Sequence, residues 1–353
     1  MKRDDTPLTE HRPGSIKCLV WDLDNTLWNG ILSEGDDVAL FEGVAQTVRA
    51  LDARGILQSI SSKNDAQPAL ARLRALGLEE FFLYPQIHWG PKSDAVRAIA
   101  QSLNIGVDAI AFIDDQPFER DEVASQHPQV LRIAVEDRDR LLEMAALTPR
   151  FITDESARRR SMYVSDKVRY DAEESFGGAR EDFLASLGMV FRITRAEPAD
   201  LARLEELVAR TNQLNTTGRI YSLEQLDAFR TSDRHDLWVA SLSDTYGEYG
   251  KIGLALVEKD AASWAIKAFL MSCRVMSRGV GSVFIRWLLK RAQAQDVSLH
   301  AEMIPNDRNR MMGGTYRFAG FKLLRKEGDV ELLSHPLEGV LPFPDYVDVR
   351  SPG

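Results

Sequence analysis

Asp22 and Asp24 stand one residue apart behind the apolar run Cys18-Leu19-Val20-Trp21, with Asn25 and Thr26 following. An apolar run bounded by polar residues reads as a buried parallel strand. Alternation puts the two carboxylates on the same side of the strand's end. Two carboxylates that close repel each other unless a proton or a cation lies between them. The pair therefore predicts a hard divalent ion, Mg²⁺, and one carboxylate free to attack phosphorus.

Three further elements follow in order. Residues 56–64 read as a second strand, ending in Ser62, Lys63 and Asn64, whose hydroxyl and amide suit phosphate oxygens. Lys92 precedes an amphipathic pattern of Val96, Ile99 and Leu103 and can neutralise phosphate as a point charge. Residues 109–115 read as another buried strand, ending in Asp114 and Asp115, which would complete a metal shell with Asp22 and Asp24. Taken singly, these are a polar strand end, a solvated lysine and an acidic loop. Taken in this order along a βαβ pattern they favour a site, because open parallel sheets bind ligands beyond the carboxyl ends of their strands.

These motifs resemble the haloacid dehalogenase superfamily of aspartate-nucleophile phosphatases. The resemblance implies Asp22 as nucleophile and Asp24 as general acid/base. It sets Asn25, Thr26, Ser62, Lys63, Asn64 and Lys92 around the phosphate, and Asp114 and Asp115 on the metal. Only a short segment separates the first motif from the helical pattern of Val44, Val48 and Leu51, so no cap domain is expected there.

The chain has 353 residues, enough for two domains. A net charge of −9 does not suggest nucleic acid as partner. No apolar run reaches the length of a membrane span. The N-terminal residues lack a signal-peptide core, and two cysteines far apart suggest a reducing compartment, so a cytoplasmic location is expected. The expected organisation is a flexible tail over 1–14, a phosphatase-like domain over 15–145, a charged helical connector over 146–182 and a second α/β domain over 183–353.

That second domain mixes strands and helices, with a turn expected at residues 247–250. Arg278-Gly279-Val280-Gly281 opens a helix after a strand, and the pattern resembles the GNAT acyltransferase fold. The expected fold class is thus α/β: a capless parallel sheet plus a GNAT-like domain. Both halves together resemble the FkbH-like family, through Asp22-Leu23-Asp24-Asn25-Thr26, Ser62-Lys63-Asn64-Asp65, Arg210-Thr211-Asn212-Gln213-Leu214-Asn215 and Ser272-Cys273-Arg274. This resemblance implies that 1,3-bisphosphoglycerate loses phosphate, and that its glyceryl group passes through an enzyme thioester to a phosphopantetheinylated acyl carrier protein in polyketide assembly.

Either cysteine could hold the thioester. Cys18 lies inside an apolar strand, where a thiol is inert. Cys273 is expected to end a strand, with Arg274 and Arg278 to favour its thiolate and His300 on the neighbouring strand as base. Asn212, Asn215 and Asn309 would bind glyceryl hydroxyls or pantetheine amides, with loop capping the equal alternative.

Overall fold

Every residue of β1 (Cys18–Trp21) is buried, because the strand is paired on both edges and covered on both faces. The computed structural model describes residues 13–352 apart from 36, 212, 213 and 308, and it divides into two units between Val164 and Ser165. In the first, a two-residue ladder of β2 (Trp28–Asn29) and β3 (Ala39–Leu40) precedes α1 (Val44–Ala53), where a cap would otherwise stand. Then follow β4 (Leu57–Ser62), α2 (Ala66–Ala75), β5 (Gln86–Ile87), α3 (Lys92–Ser102), β6 (Ile110–Asp114), α4 (Pro117–Gln126) and β7 (Leu131–Ala134).

The five long-range strands form a wholly parallel sheet in the order β5-β4-β1-β6-β7. The chain winds outward from β1 to β5 and then returns to the other side of β1. The switch point therefore lies between β1 and β6, where such sheets open a crevice beyond their strand ends. Alternation supplies both cores: Leu19, Trp21, Ala111 and Ile113 pack with Val48 and Leu51, and Cys18, Val20, Ile110 and Phe112 pack with Val96 and Ile99. The buried Gln58 is satisfied, since it accepts from the Trp21 indole (3.1 Å) and donates to the Val48 carbonyl (2.8 Å).

After β7 come α5 (Asp154–Ala157), α6 (Arg159–Ser175) and α7 (Arg180–Ser186). The division between the units falls inside α6. Within the second unit, the buried Arg169 of α6 pairs with Asp166 (2.7 Å) and Asp244 (2.8 Å) and lies 4.0 Å over the Tyr249 ring.

The second unit continues with β8 (Met189–Arg195), α8 (Leu201–Arg210), α9 (Leu223–Thr231), β9 (His235–Asp244), β10 (Gly247–Lys259) and β11 (Ser263–Met271). It closes with α10 (Val280–Ala294), β12 (Ser298–Met303), α11 (Arg310–Phe318), β13 (Lys322–Glu327), β14 (Val330–His335) and β15 (Val347–Arg350). Its mixed sheet runs β13-β14-β12-β11-β10-β9-β8-β15. The expected turn at residues 247–250 is strand instead. Asp244 pairs with Gly247 in register, so the hairpin turns at Thr245-Tyr246, and β10 absorbs the glycines in bulges. One face carries Trp238, Ala240 and the buried side of α10, and the other carries Leu237, Val239 and α8.

β11 and β12 are parallel neighbours only from Ser263–Ser298 to Ile266–Ala301. Beyond that they part, and the chain's own segment around Asn215 enters the gap. Met271 N–H donates to the Leu214 carbonyl (3.0 Å), Thr216 N–H to Phe269 (3.0 Å) and Ile304 N–H to Thr216 (2.9 Å).

Gly55 ends α1 at φ +73, and a Cβ there would meet the Ser156 carbonyl oxygen at 2.7 Å. Gly55→Ala is expected to cost about 1–3 kcal/mol, read as a lowered denaturant midpoint. An unchanged midpoint would show that this approach tolerates a side chain.

Candidate active site

The first site grows from the carboxyl ends of β1 and β6. Asp22 is the first residue past β1 and Asp114 is the last of β6, so the two neighbouring strands deliver their acids to one place. Oxygens of Asp22, Asp114 and Asp115 lie within 4.8 Å of one another. Lys92, first residue of α3, reaches in from the side. Its ammonium donates to Asp22 Oδ1 (2.7 Å) and Asp114 Oδ2 (2.5 Å), and it also contacts Glu119. Asp114 further accepts from the Gln116 N–H (2.8 Å).

Burial governs the charges here. It pushes the Asp22 carboxyl up to about 6, against the pull of Lys92 and with help from the Asp114 charge. Burial likewise pushes Asp114 up to about 6, again against Lys92, and it raises Asp115. For Lys92, burial alone would lower the ammonium, but Asp22 and Asp114 outweigh it and hold the group above its ordinary range. Burial also opposes ionisation of Glu119, but hydrogen bonds from Lys63 and Lys92 keep it below the usual carboxylate range. The result is a fixed positive charge amid acids that are reluctant to ionise together.

Asp24 departs from expectation. β1 ends at Trp21, so Asp24 lies in the turn, and its carboxylate is absent from the three-acid cluster. It accepts from the Trp28 indole (2.7 Å), the Leu32 N–H (3.2 Å) and the Asn64 amide (2.8 Å). The expected metal role of its side chain is therefore corrected: three donors already claim it. Asn64 spends one amide hydrogen on Asp24. Asn25 adopts φ 55, and its side chain accepts from Gly30 N–H (3.2 Å), which shapes the turn. Thr26 is buried and accepts from the Asp115 N–H (3.0 Å), tying the first motif to the last. Ser62 is buried at the end of β4. Lys63 pairs with Glu119 (2.8 Å).

Glu119, which with Arg120 is one of the motifs resembling the FkbH-like family, has no role assigned to it from the sequence. It bridges Lys63 and Lys92 from the first turn of α4. Pro117 at the start of that helix was the available signal, since proline favours the first helical position and so places Glu119 facing back toward the strand end. Trp28, four residues after Asp24, orients that carboxylate through its indole N–H.

In the second unit the expected constellation is dispersed. Cys273 does not end a strand: β11 stops at Met271, and Cys273, half-buried, opens a short 3-10 turn through Arg278. His300 is corrected as its base. In the β11–β12 register it pairs with Ala265, and the rest of β11, about 20 Å at ~3.3 Å per residue, separates that point from Cys273. Arg274 donates to the Tyr249 carbonyl (2.8 Å), and Arg278 to Glu173 (2.9 Å). Gly279 does open α10, at φ +74.

Asn215 and Asn309 take the capping role. Asn215 accepts from the Thr217 (3.2 Å) and Gly218 (3.0 Å) N–H groups. Asn309, fully buried, donates to the carbonyls of Asn215 (3.1 Å), Thr216 (3.3 Å) and Ile304 (2.9 Å). These bonds hold the segment that fills the β11–β12 gap. Asn212 lies outside the described residues. Cys18 is wholly buried, and burial pushes its thiol far up, which leaves it inert.

Residues 29–119 match the family model described as haloacid dehalogenase-like hydrolase, a span that includes Lys92, Asp114 and Glu119. No curated protein matches the chain. Among solved structures, the chain is similar to the N-terminal part of a Bacteroides fragilis protein containing a phosphatase domain, complexed with Mg. That match is 28% identical, covers 38% of this chain and 41% of that one, and has a TM-score of 0.34. It is also similar to a GNAT-family acetyltransferase from Streptococcus pneumoniae (21% identical, 41% of this chain, 98% of that one, TM-score 0.31). Ard1 from Thermoplasma volcanium is similar at 14% identity over 41% of this chain and 96% of that one, with a TM-score of 0.33. Among the described residues, no helix is long and apolar enough to cross a membrane.

Lys92→Met would leave Asp22 and Asp114 buried without their cation. Their carboxyls, already raised to about 6, would rise further. Raised folded-state values penalise the native state increasingly as pH climbs above the ordinary carboxylate range, and leave it unpenalised once both states are protonated. The loss of unfolding midpoint in this variant, measured in EDTA, is therefore expected to be larger at pH 8 than at pH 5. An equal loss at both would remove the charge-balancing role of Lys92.

Proposed function

We propose that the first unit performs Mg²⁺-dependent phosphoryl transfer with Asp22 as nucleophile, and that the whole chain loads a glyceryl or related three-carbon acyl group onto an acyl carrier protein. The observation that carries the first part is Asp22, held 2.7 Å from the Lys92 ammonium beside Asp114 and Asp115 at the sheet's switch point. An Asp22 oxygen attacks phosphorus, and the bond to the leaving oxygen breaks. Asp24, oriented by Trp28 and Asn64, gives that oxygen its proton. Water then attacks the aspartyl phosphate, returns a proton to Asp24 and frees Asp22. Lys92 offsets charge on the phosphoryl oxygens throughout. The all-oxygen set of Asp22, Asp114 and Asp115 fits Mg²⁺, which would neutralise further phosphoryl charge.

The second part rests on the resemblance of both halves to the FkbH-like family, with 1,3-bisphosphoglycerate as donor. The Cys273 thiolate attacks the acyl carbon and the acyl-bound phosphate leaves, while the phosphate ester at the other end is cleaved by Asp22 and then water, so that a glyceryl group is carried. The carrier's pantetheine thiolate then takes the acyl group and restores Cys273. Cys273 is preferred over Cys18 because it is half-buried, whereas Cys18 is sealed in the sheet.

A plain phosphatase with a fused domain of separate use is the second reading. It is favoured by the distance between His300 and Cys273 and by the commitment of Asn215 and Asn309 to internal bonds.

Asp22→Asn is expected to abolish phosphate release, and EDTA to stop it reversibly, in a malachite-green assay. Normal turnover in Asp22→Asn would refute the nucleophile. Mass spectrometry of a phosphopantetheinylated carrier protein, incubated with enzyme, Mg²⁺ and 1,3-bisphosphoglycerate, is expected to show the glyceryl adduct with wild type and not with Cys273→Ala. Phosphate release with no adduct on enzyme or carrier would select the phosphatase reading.

A further inference from the structure

Lys92 meets Asp22 and Asp114 only while the first turn of α3 keeps its place, because the lysine opens that helix on a long, flexible stem. A helix start leaves backbone N–H groups without intrahelical partners and frays unless something caps it. α3 lacks the usual means. Its cap residue is Pro91, whose ring offers no acceptor, and Asp94 in its first turn is exposed and accepts from Arg97.

The cap comes from α4 instead. Glu122, half-buried on that helix, takes both donors of Ser93: the N–H at one carboxylate oxygen (3.0 Å) and the hydroxyl at the other (2.5 Å). His127, at the end of α4, donates from Nε2 to the Ser93 carbonyl (3.1 Å). The N–H, O–H and C=O of the buried Ser93 are thus all tied to α4.

Glu119 and Glu122 stand three residues apart on α4 and so share a face. Glu119 meets the Lys92 ammonium, and Glu122 holds the backbone one residue further along α3. One helix face therefore fixes both the charged end of the lysine and its anchor.

We propose that Glu122 is a positioning residue for phosphoryl transfer: it caps α3 through Ser93 and so keeps the Lys92 ammonium between Asp22 and Asp114. The catalytic consequence rests on the roles proposed above for Asp22 and Lys92. A cap within α3 would close only that helix's own turn. A cap supplied by α4 also sets the helix start against Glu119 and the end of β6, which is what the lysine needs. A cap that served folding alone would lower the melting temperature on removal and leave Lys92 where it is.

The test is amine labelling of the native chain with acetic anhydride, followed by peptide mass spectrometry. The exposed Lys326 is the internal standard, and alkylation of the wholly buried Cys18 by iodoacetamide reports unfolding. In wild type, Lys92 is expected to label far more slowly than Lys326, since its side chain is only 4% exposed. Glu122→Ala is expected to raise Lys92 labelling relative to Lys326 about tenfold, the scale of a lost cap, with Cys18 still protected. Its kcat for p-nitrophenyl phosphate with Mg²⁺ is expected to fall about 10- to 100-fold, with a smaller change in KM, because the displaced charge is missed most in the transition state. Glu122→Gln keeps an acceptor for the Ser93 N–H and is expected to stay within about threefold of wild type in both measurements. Should Glu122→Ala expose Cys18, Glu122→Asp takes its place under the same criteria, because its shorter carboxylate cannot span both Ser93 donors. Lys92 as protected in these variants as in wild type would overturn the proposal. So would unchanged kcat beside an exposed Lys92, and so would a loss in Glu122→Gln as large as in Glu122→Ala, which would make charge rather than capping the cause. Normal turnover in Asp22→Asn would refute the phosphoryl-transfer reading and leave the labelling result standing, so the two failures are separable.

Discussion

The first unit depends on one buried ammonium. Asp22 and Asp114 lie on adjacent strand ends and are almost shut off from solvent. Two carboxylates cannot share such a place as anions without a cation close by. Lys92 supplies it from a third direction, and Glu119 steadies Lys92 from a fourth while leaning on Lys63. The starts of α3 and α4 must therefore both converge on the end of β1, and the strand order places them there. A site built in this way holds its charge in place before any substrate arrives, which is what electrostatic stabilisation of phosphoryl transfer requires.

The same cluster explains the division between Asp22 and Asp24. One acid points among its like and keeps a raised carboxyl, so it has affinity for protons and cations. The other lies outside that cluster, past the end of the strand, and is fixed by an indole, a backbone N–H and an amide. Two residues apart in sequence, they occupy different chemical settings because β1 stops at Trp21 and the turn through Asn25 begins at once.

In the second unit, polar residues that look like ligand contacts are largely spent on the fold. A parallel pair of strands that parts halfway leaves backbone N–H and C=O groups without partners, and buried groups of that kind must be satisfied. The segment from Leu214 to Thr216 satisfies them, and Asn309 binds that segment from behind. Arg274 and Arg278 are similarly drawn to Tyr249 and Glu173.

Much of the first unit was legible in the residues. The apolar runs that lead into Asp22 and Asp114 are buried on both faces, as strands inside a parallel sheet are, whereas the strand ending at Ser62 is equally buried but largely polar. The acids and the lysine follow as residue types at strand and helix ends. The second unit was legible in its major strands and in α10, but not in α9 or in β13 to β15. β13 is wholly exposed and carries no buried alternation to read. The bulges that move the hairpin turn to Thr245-Tyr246 depend on partner strands, which local pattern does not contain. By itself, then, the sequence determined which side chains could do chemistry and which strands would be buried, because both follow from residue type and short periodicity. Tertiary structure alone decided which of them meet. Register set His300 against Ala265 and away from Cys273, the end of β1 parted Asp24 from Asp22, and the packing of α4 brought Glu119 to Lys92. Each is a relation between segments distant in the chain, settled by where buried charges and backbone groups find their partners.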